Sequence, residues 1–386
     1  MLDHLRKYQV NKLQTISLSD LKHPLKGSTL QLLADIFHVA RPTARLSLSL
    51  SRCFLYSEKT LNEFFQTPSN LTQLNLSDVG LCDEHLYEIA TFLDESCKGL
   101  KVLHLQRNNI GLEGAMSLAQ GLVDNQNLKL LNLSYNKIGS KGVILLVEAF
   151  RGNRTLRSLF LDANGIENDG SYALADMLLE KTSGLEELHI GTNMISHAGL
   201  SAIFMAVAMT NKSLKFLDVA YNFIDVGIMH QLRQLLLRNT TLKYFSISDL
   251  HRFTAQAIDG VVDSLLKNEG LKMVDFRQTS RDFFEFVTGS VQRKRTNAQQ
   301  LISFRCDDHF VLKKPLPLTK TQKEQDNVPQ IVKRRAPSMG QYSMENPNLR
   351  HQKVKREAQT QEMQQMIMMQ GTQSSMKSPI YSVQHQ

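Results

Sequence analysis

The 386-residue sequence predicts an α/β solenoid in which short parallel strands alternate with helices. Three observations predict it. A phrase of the form Leu-x-x-Leu-x-Leu-x-x-Asn-x-Ile recurs along the chain. Its copies begin 28 or 29 residues apart. A segment with helical apolar spacing follows each clear copy. A fixed period of this length is typical of a stacked repeat array.

Five clear copies and several weaker ones make up the array. The clear copies begin at Leu100, Leu128, Leu156, Leu185 and Leu214. Degenerate copies begin at Leu71, Leu242 and Leu271. Residues 13–18 and 45–50 look like earlier turns, and 301–306 looks like a last strand. Terminal repeats are expected to be atypical because one of their faces meets solvent.

Each repeat divides into a strand half and a helix half. We number the eleven positions of the phrase as slots 1 to 11. Leucines at slots 1, 4 and 6 are predicted to point into the core between strand and helix. In the second half, apolar residues such as Leu118, Ala119 and Leu122 share one helical face. The strands are therefore expected to stack in parallel on a concave side and the helices to line a convex side.

Two ladders of asparagine are predicted to be structural. The slot 9 ladder consists of Asn108, Asn136, Asn164, Asn193 and Asn222. Its amides are expected to bond the backbone of the neighbouring turn, since an unpaired buried group costs about 1–3 kcal/mol. The second ladder, three residues before the strands, consists of Asn125, Asn153, Asn211, Asn239 and Asn268. We expect these to cap helices in the left-handed conformation that Asn tolerates.

These features resemble the ribonuclease-inhibitor-like class of leucine-rich repeats over roughly residues 10–310. The resemblance rests on the period and on the helical half, as in 110–123 and 138–147. It implies a horseshoe over residues 1–312 with about nine to eleven repeats. Repeats of this class occur in actin regulators, in axonemal and centrosomal proteins and in innate-immune receptors.

Residues 313–386 are predicted to be a basic, disordered tail that contains Gln, Met and Pro. Six of the nine prolines lie there, and the repeat pattern stops. The tail holds 12 Lys or Arg and 5 Asp or Glu, which leaves a net charge of only +1 on residues 1–312. Its basic clusters are Lys333, Arg334 and Arg335, and Lys353, Lys355 and Arg356. These clusters are candidate contacts for an acidic partner, a cytoskeletal surface or a nuclear-import receptor.

Catalytic and metal-binding motifs are absent from the sequence. It contains no phosphate-binding loop, no HExxH and no GxSxG. The four cysteines form no CxxC pair and are expected to be small, reduced, buried residues: Cys53, Cys82, Cys97 and Cys306. We therefore predict no cofactor, no metal site and no enzymatic activity. Without an 18-residue apolar stretch or an N-terminal apolar segment, we expect no membrane span and no secretory signal.

Slots 3, 5 and 8 are predicted to form a concave face that binds a partner protein. The candidate site residues are Val102, His104, Leu130, Tyr135, Phe160, His189, Phe216, Asp218, Tyr221, Tyr244 and Met273. Aromatic residues are typical of protein interfaces. Two interpretations stay open: the rings contact a partner, or they lie flat across neighbouring strands. Glu187, Asp218, Asp249 and Asp275 are expected to add an acidic edge that favours basic groups on the partner.

The function that we predict is a non-enzymatic intracellular scaffold or adaptor, with a cytoskeletal or ciliary assembly as one setting. Two alternatives stay open. One is a regulator of an enzyme, either an inhibitor or a GTPase-activating module. The other is nucleic-acid binding led by the tail, although the near-neutral solenoid argues against nucleic acid on the concave face. A cytoplasmic location is expected, with the cytoskeleton, the cilium and the nucleus as alternatives.

Overall fold

The computed structural model describes residues 15–19, 27–39, 46–53, 64–65, 70–180, 183–209, 211–248, 250, 253–277, 283, 285–287, 289–290, 303–306 and 310–311. The predicted tail and both of its basic clusters lie outside these residues. The five clear copies of the repeat phrase lie within them.

Twelve strands of the described chain form a single sheet in sequence order. Eleven neighbouring strands pair in parallel, and β12 pairs antiparallel with β11 at the end of the sheet. The strands are β1 Thr15–Ser17, β2 Leu46–Ser49, β3 Leu71–Asn75, β4 Val102–His104, β5 Leu130–Asn132, β6 Ser158–Phe160, β7 Glu187–His189, β8 Phe216–Asp218, β9 Tyr244–Ser248, β10 Met273–Arg277, β11 Ser303–Cys306 and β12 Phe310–Val311. Strands therefore occur in 13–18, 45–50 and 301–306 as predicted. The antiparallel β12 was not expected.

A helix follows most of these strands and packs against the helices of adjacent repeats. The helices are α1 Gly27–Val39, α2 Asp83–Thr91, α3 Leu112–Leu122, α4 Gly139–Ala149, α5 Asn168–Leu179, α6 His197–Met209, α7 Met229–Arg238 and α8 Ala255–Lys267. A π-helical turn, Phe92–Ser96, extends α2, and a 3-10 turn, Val226–Ile228, precedes α7. None of these helices is both long and apolar enough to cross a membrane.

The core lies between the sheet and the helices, where the repeat phrase predicts it. In the repeat that begins at Leu100, the slot 1, 4 and 6 leucines Leu100, Leu103 and Leu105 are fully buried. On α3, Leu118 and Leu122 close the core from the other side. Each repeat thus buries its apolar residues against the next, which confirms the α/β solenoid.

The slot 9 asparagines link each turn to the one before it, as predicted. The Nδ2 of Asn193 donates to the carbonyls of Ile190 in its own repeat and Leu161 in the preceding one, both at 3.0 Å. Its Oδ1 accepts the backbone N–H groups of Asn164 at 2.9 Å and Ile166 at 3.1 Å. The other four asparagines of this ladder also bond across the repeat boundary.

The second asparagine ladder caps helix ends, but not in the predicted conformation. Asn239 and Asn268 follow α7 and α8 with extended backbone, at φ −87° and −77°. The expectation of a left-handed backbone is wrong, because the side chain does the capping. The Oδ1 of Asn239 accepts the N–H groups of Thr241 at 3.0 Å and Leu242 at 2.8 Å. Its Nδ2 donates to Val207 of the previous repeat at 2.8 Å, which again joins adjacent repeats.

The left-handed backbone occurs instead at slot 8. Seven residues other than glycine have φ between 53° and 61°: Arg52, Asp78, Arg107, Tyr135, Ala163, Thr192 and Tyr221. This conformation costs about 1–2 kcal/mol for a residue with a Cβ. A cross-repeat bond accompanies it, since the N–H of Thr192 donates to the carbonyl of Ala220 at 2.8 Å. The turn ends each strand and sets the direction of the slot 8 side chain.

We predict that Asn193→Ala lowers the free energy of unfolding by at least about 3 kcal/mol, because several buried backbone groups lose their partner. The matched control is Asn109→Ala, whose side chain is exposed and which should stay within about 0.5 kcal/mol of wild type. Urea unfolding followed by circular dichroism measures both. Equal midpoints for the two variants would contradict a structural role for the ladder.

Candidate functional site

Four rings on neighbouring strands form one continuous stack on the sheet face that carries slots 3, 5 and 8, for which we keep the name concave face. Phe160 on β6 stacks on His189 of β7, with ring centroids 4.3 Å apart and planes inclined by 20°. His189 stacks on Phe216 of β8 at 4.6 Å, and Phe216 stacks on Tyr244 of β9 at 4.0 Å. We call these four residues the ring stack. The inner rings are covered on both faces by their neighbours, so their edges are the parts that meet solvent.

The spacing of the sheet produces this stack. Parallel strands lie about 4.7–4.9 Å apart, which is close to the stacking distance of aromatic rings. Phe160 and His189 occupy slot 5, whereas Phe216 and Tyr244 occupy slot 3, so the stack crosses diagonally between β7 and β8. Aromatic side chains reach such diagonal neighbours. These rings are thus packed face to face with rings of neighbouring strands rather than flat across the strands, and their contact with a partner stays a prediction.

Two tyrosines at slot 8 are more open to solvent than the ring stack. Tyr135 is 40% exposed and Tyr221 is 37% exposed. The guanidinium carbon of Arg107 lies 4.4 Å from the centre of the Tyr135 ring, in the geometry of a cation–π contact. These two rings keep the exposure that a partner-binding role requires.

The remaining apolar candidates and His104 lie on strands that flank the ring stack. Val102, Leu130 and Met273 are half-buried at the first positions of β4, β5 and β10. His104 is half-buried at the end of β4, and its Nδ1 has no hydrogen-bond partner within the described residues. Burial lowers the pKa of His104, which favours the neutral ring.

Two members of the predicted acidic edge are buried, whereas the side chain of Glu187 is 30% exposed. Asp218 is only 5% exposed, and its Oδ1 accepts the N–H of Ala220 at 3.0 Å. Asp275 is 2% exposed, and its Oδ2 accepts the hydroxyl of Tyr244 at 2.8 Å. The expectation that both carboxylates face open solvent is wrong, because the diagonal stack and the local backbone cover them. Asp249 lies outside the described residues.

A cavity of about 220 Å³ opens beside the ring stack. It is lined by Tyr135, Asp162, His189, Gly191, Thr192, Phe216, Asp218 and Tyr221. Five of these residues are sequence-predicted site residues. Three of the lining residues were not predicted. Asp162 and Gly191 occupy slot 7, which the repeat pattern assigns to the turn, and Thr192 at slot 8 lacks a distinctive side chain.

Hydrogen bonds and burial shift the pKa values of two carboxyl groups in this region, those of Glu187 and Asp162. The Nε2 of His189 lies 3.0 Å from Oε1 of Glu187, and this hydrogen bond lowers the pKa of Glu187. Asp162 accepts the N–H of Gly191 at 2.7 Å and the hydroxyl of Ser134 at 3.1 Å. Burial nevertheless raises the pKa of Asp162, and the negative charge of Asp218 raises it further. Within the described chain, no three His, Cys, Asp or Glu side chains are grouped to hold a metal ion.

A row of basic residues at slot 2 was missed by the sequence reasoning. The row consists of Lys101, Lys129, Arg157, Lys215, Lys243 and Lys272, with Glu186 in its middle. Backbone bonds between these positions on successive strands, such as Lys129 N–H to the carbonyl of Lys101 at 2.8 Å, hold the side chains side by side. Glu186 pairs with two members of the row, at 2.6 Å from Lys215 and 3.7 Å from Arg157. The signal in the sequence is the recurrence of Lys or Arg at slot 2, directly after the first leucine of the phrase.

The predicted small, buried cysteines are partly confirmed. Cys53 and Cys97 are buried, and their thiols donate to the carbonyls of Leu18 at 2.7 Å and Leu71 at 3.3 Å. Cys82 is half-buried at the start of α2, and the side chain of Cys306 is outside the described part.

Comparison with known families identifies the repeat. The Leucine Rich repeat family model matches residues 96–119 and 124–147. These segments include β4, most of α3, β5 and most of α4, and they carry the slot pattern that continues through the sheet. The two matched segments are therefore leucine-rich repeats, and the sheet and helices form an α/β leucine-rich-repeat solenoid. A comparison with curated protein sequences finds no match.

Several solved structures are similar to parts of the chain. Actin-binding site 2 of leiomodin-1 is 21% identical, covering 41% of this chain and 88% of that chain, with a TM-score of 0.34. A chain of the yeast Rad7 and Elc1 complex is 16% identical over 72% and 82%, with a TM-score of 0.42. The internalin inlF of Listeria monocytogenes is 15% identical over 78% and 83%, with a TM-score of 0.36. Likenesses at these TM-scores carry no conclusion about function.

We predict a pH-dependent stability contribution from Glu187. Its folded pKa lies below the ordinary 4.5, so its contribution is present above that pH and is lost as pH falls through the folded pKa. The urea midpoint of Glu187→Gln should therefore lie below wild type at about pH 6, and the difference should shrink below about pH 4. In a His189→Gln background the pH dependence of the difference should weaken. A difference that is constant with pH would contradict this assignment.

Proposed function

We propose that this protein is a non-enzymatic scaffold or adaptor that binds another protein on its concave face. The observation that carries the proposal is the ring stack and its two flanking exposed tyrosines, Tyr135 and Tyr221. Aromatic anchors of this kind dominate the energetics of protein interfaces. The stacked rings hold one another in fixed orientations, so little side-chain entropy remains to be lost when a partner binds.

The ribonuclease-inhibitor-like subtype and an intracellular cytoskeletal or ciliary setting belong to the same proposal. The 28–29-residue period and the full helix in each repeat support the subtype. The setting is drawn from the occurrence of this repeat class in actin regulators and in axonemal and centrosomal proteins. A contact of the tail with an acidic or cytoskeletal partner is part of this proposal and rests on its basic sequence.

Affinity capture with a matched control tests the use of the concave face. The full chain is compared with Phe160→Ala/Tyr221→Ala and with Tyr172→Ala, which removes a similarly exposed tyrosine on α5. Quantitative mass spectrometry should find a partner whose recovery falls at least about tenfold with the double variant only, as expected for a lost interface anchor. That partner is then purified, and its direct binding is measured by calorimetry.

The double variant and the wild type must have equal urea unfolding midpoints before the capture is interpreted. Phe160 contributes to the ring stack, so its replacement could otherwise act by destabilising the fold. Tyr221→Ala alone serves as the second variant, since its ring lies outside the stack. Ala163 shows that alanine is accommodated at slot 8 with positive φ. Partners that are lost with Tyr172→Ala, or with neither variant, would contradict a concave binding face.

A further inference from the structure

The slot 8 row has a gap at its centre. Tyr135 and Tyr221 border this gap, and the two repeats between them carry the small residues Ala163 and Thr192 at slot 8. The cavity of about 220 Å³ occupies this gap. Pockets for cofactors and drug-sized ligands measure about 300–1,000 Å³. The space is therefore better matched to a single inserted side chain.

Two carboxylates form one side of the cavity. Asp162 and Asp218 both approach Gly191: a Cβ placed on this glycine would lie 3.1 Å from Oδ1 of Asp162 and 3.4 Å from Oδ1 of Asp218. The other slot 7 positions of neighbouring repeats carry a side chain, for example Ser134 and Ala220. The missing side chain at Gly191 thus lets the half-buried Asp162 and the buried Asp218 approach each other at the cavity.

Aromatic rings form the rest of the wall. His189 and Phe216 line the cavity from the ring stack, and the two tyrosines close its ends. One of these tyrosines already receives a guanidinium within the chain, since Arg107 lies over Tyr135. His189 and Phe216 present only their edges to the cavity, whereas the exposed tyrosines offer ring faces. Tyrosine faces and carboxylates together match a guanidinium, which stacks on aromatic faces and bonds carboxylates in pairs.

We propose that this cavity binds the side chain of an arginine presented by the partner protein. This inference rests on the proposed concave binding function and specifies its chemistry. The guanidinium would lie between the tyrosines with its N–H groups directed at Asp162 and Asp218. Burial raises the pKa of Asp162, His189 opposes this shift, and the charge of Asp218 reinforces it. A bound guanidinium would favour the charged form of the Asp162 carboxylate and lower its pKa, and this attraction would contribute to binding.

Binding of a minimal probe tests the cavity without knowledge of the partner. The probe is N-acetyl-arginine amide, titrated into the full chain carrying ¹³C-labelled tyrosine and observed by NMR. N-acetyl-citrulline amide is the matched control, because it has nearly the same shape without the charge. We expect saturable shifts of the Tyr135 and Tyr221 signals with millimolar affinity for arginine, and no saturation with citrulline.

Two variants locate the probe. Asp218→Asn should weaken arginine binding about tenfold, because it removes the charge and leaves an oxygen to accept the N–H of Ala220. Thr192→Arg should abolish probe binding by filling the cavity, whereas Thr192→Gln should not. Slot 8 accommodates arginine with positive φ at Arg107. Equal affinity for arginine and citrulline, or wild-type affinity in Asp218→Asn, would overturn the proposal.

The two proposals fail in different ways. If the probe does not bind, while the double variant Phe160→Ala/Tyr221→Ala still loses its partner, the cavity proposal is wrong and the concave binding face stands. If the probe binds as expected, while partners are unaffected by Thr192→Arg and by the double variant, the cavity accepts arginine but the proposed function is wrong. Loss of the partner in Thr192→Arg, with retention in Thr192→Gln, supports both.

Discussion

The structure depends on hydrogen bonds that cross from one repeat to the next through asparagine side chains. Each strand is only three to five residues long over β3 to β10, so its ladder alone makes few bonds. The slot 9 amide joins the ends of two successive strands and also the turn behind them, as Asn193 does. The second ladder ties the helix ends together in the same way. These two rows of bonds hold the repeats that carry them in the same register, and the side chains on the concave face are spaced accordingly.

A fixed register has direct consequences for the concave face. Rings on successive strands are held at the strand spacing, which turns aromatic residues in separate repeats into one stack. The left-handed turn at slot 8 places Tyr135 and Tyr221 at the ends of the cavity. The basic row at slot 2 lies at the other end of the strands, roughly 15–20 Å away at about 3.3 Å per residue. A partner that contacted both ends would meet acids at one and bases at the other, and this polarity would orient it.

The period and the leucine spacing were enough to predict the fold, because the chain repeats against itself. The same comparison placed Phe160, His189 and Phe216 on one face. It could not predict that the stack would cross from slot 5 to slot 3, since that depends on which side-chain directions fit between β7 and β8. For the same reason the burial of Asp218 and Asp275 was missed. The cavity escaped prediction because its key residue, Gly191, acts through the side chain that it lacks.

Photo-crosslinking from the centre of the concave face tests the central claim most directly. Ala163 is replaced by p-benzoylphenylalanine in the full chain, and Tyr172 on α5 is replaced in the same way as the convex control. The account predicts an ultraviolet-dependent adduct with a defined partner protein from position 163 and none with that protein from position 172. An adduct with the partner that forms only from position 172 would place recognition on the helices and would contradict the account.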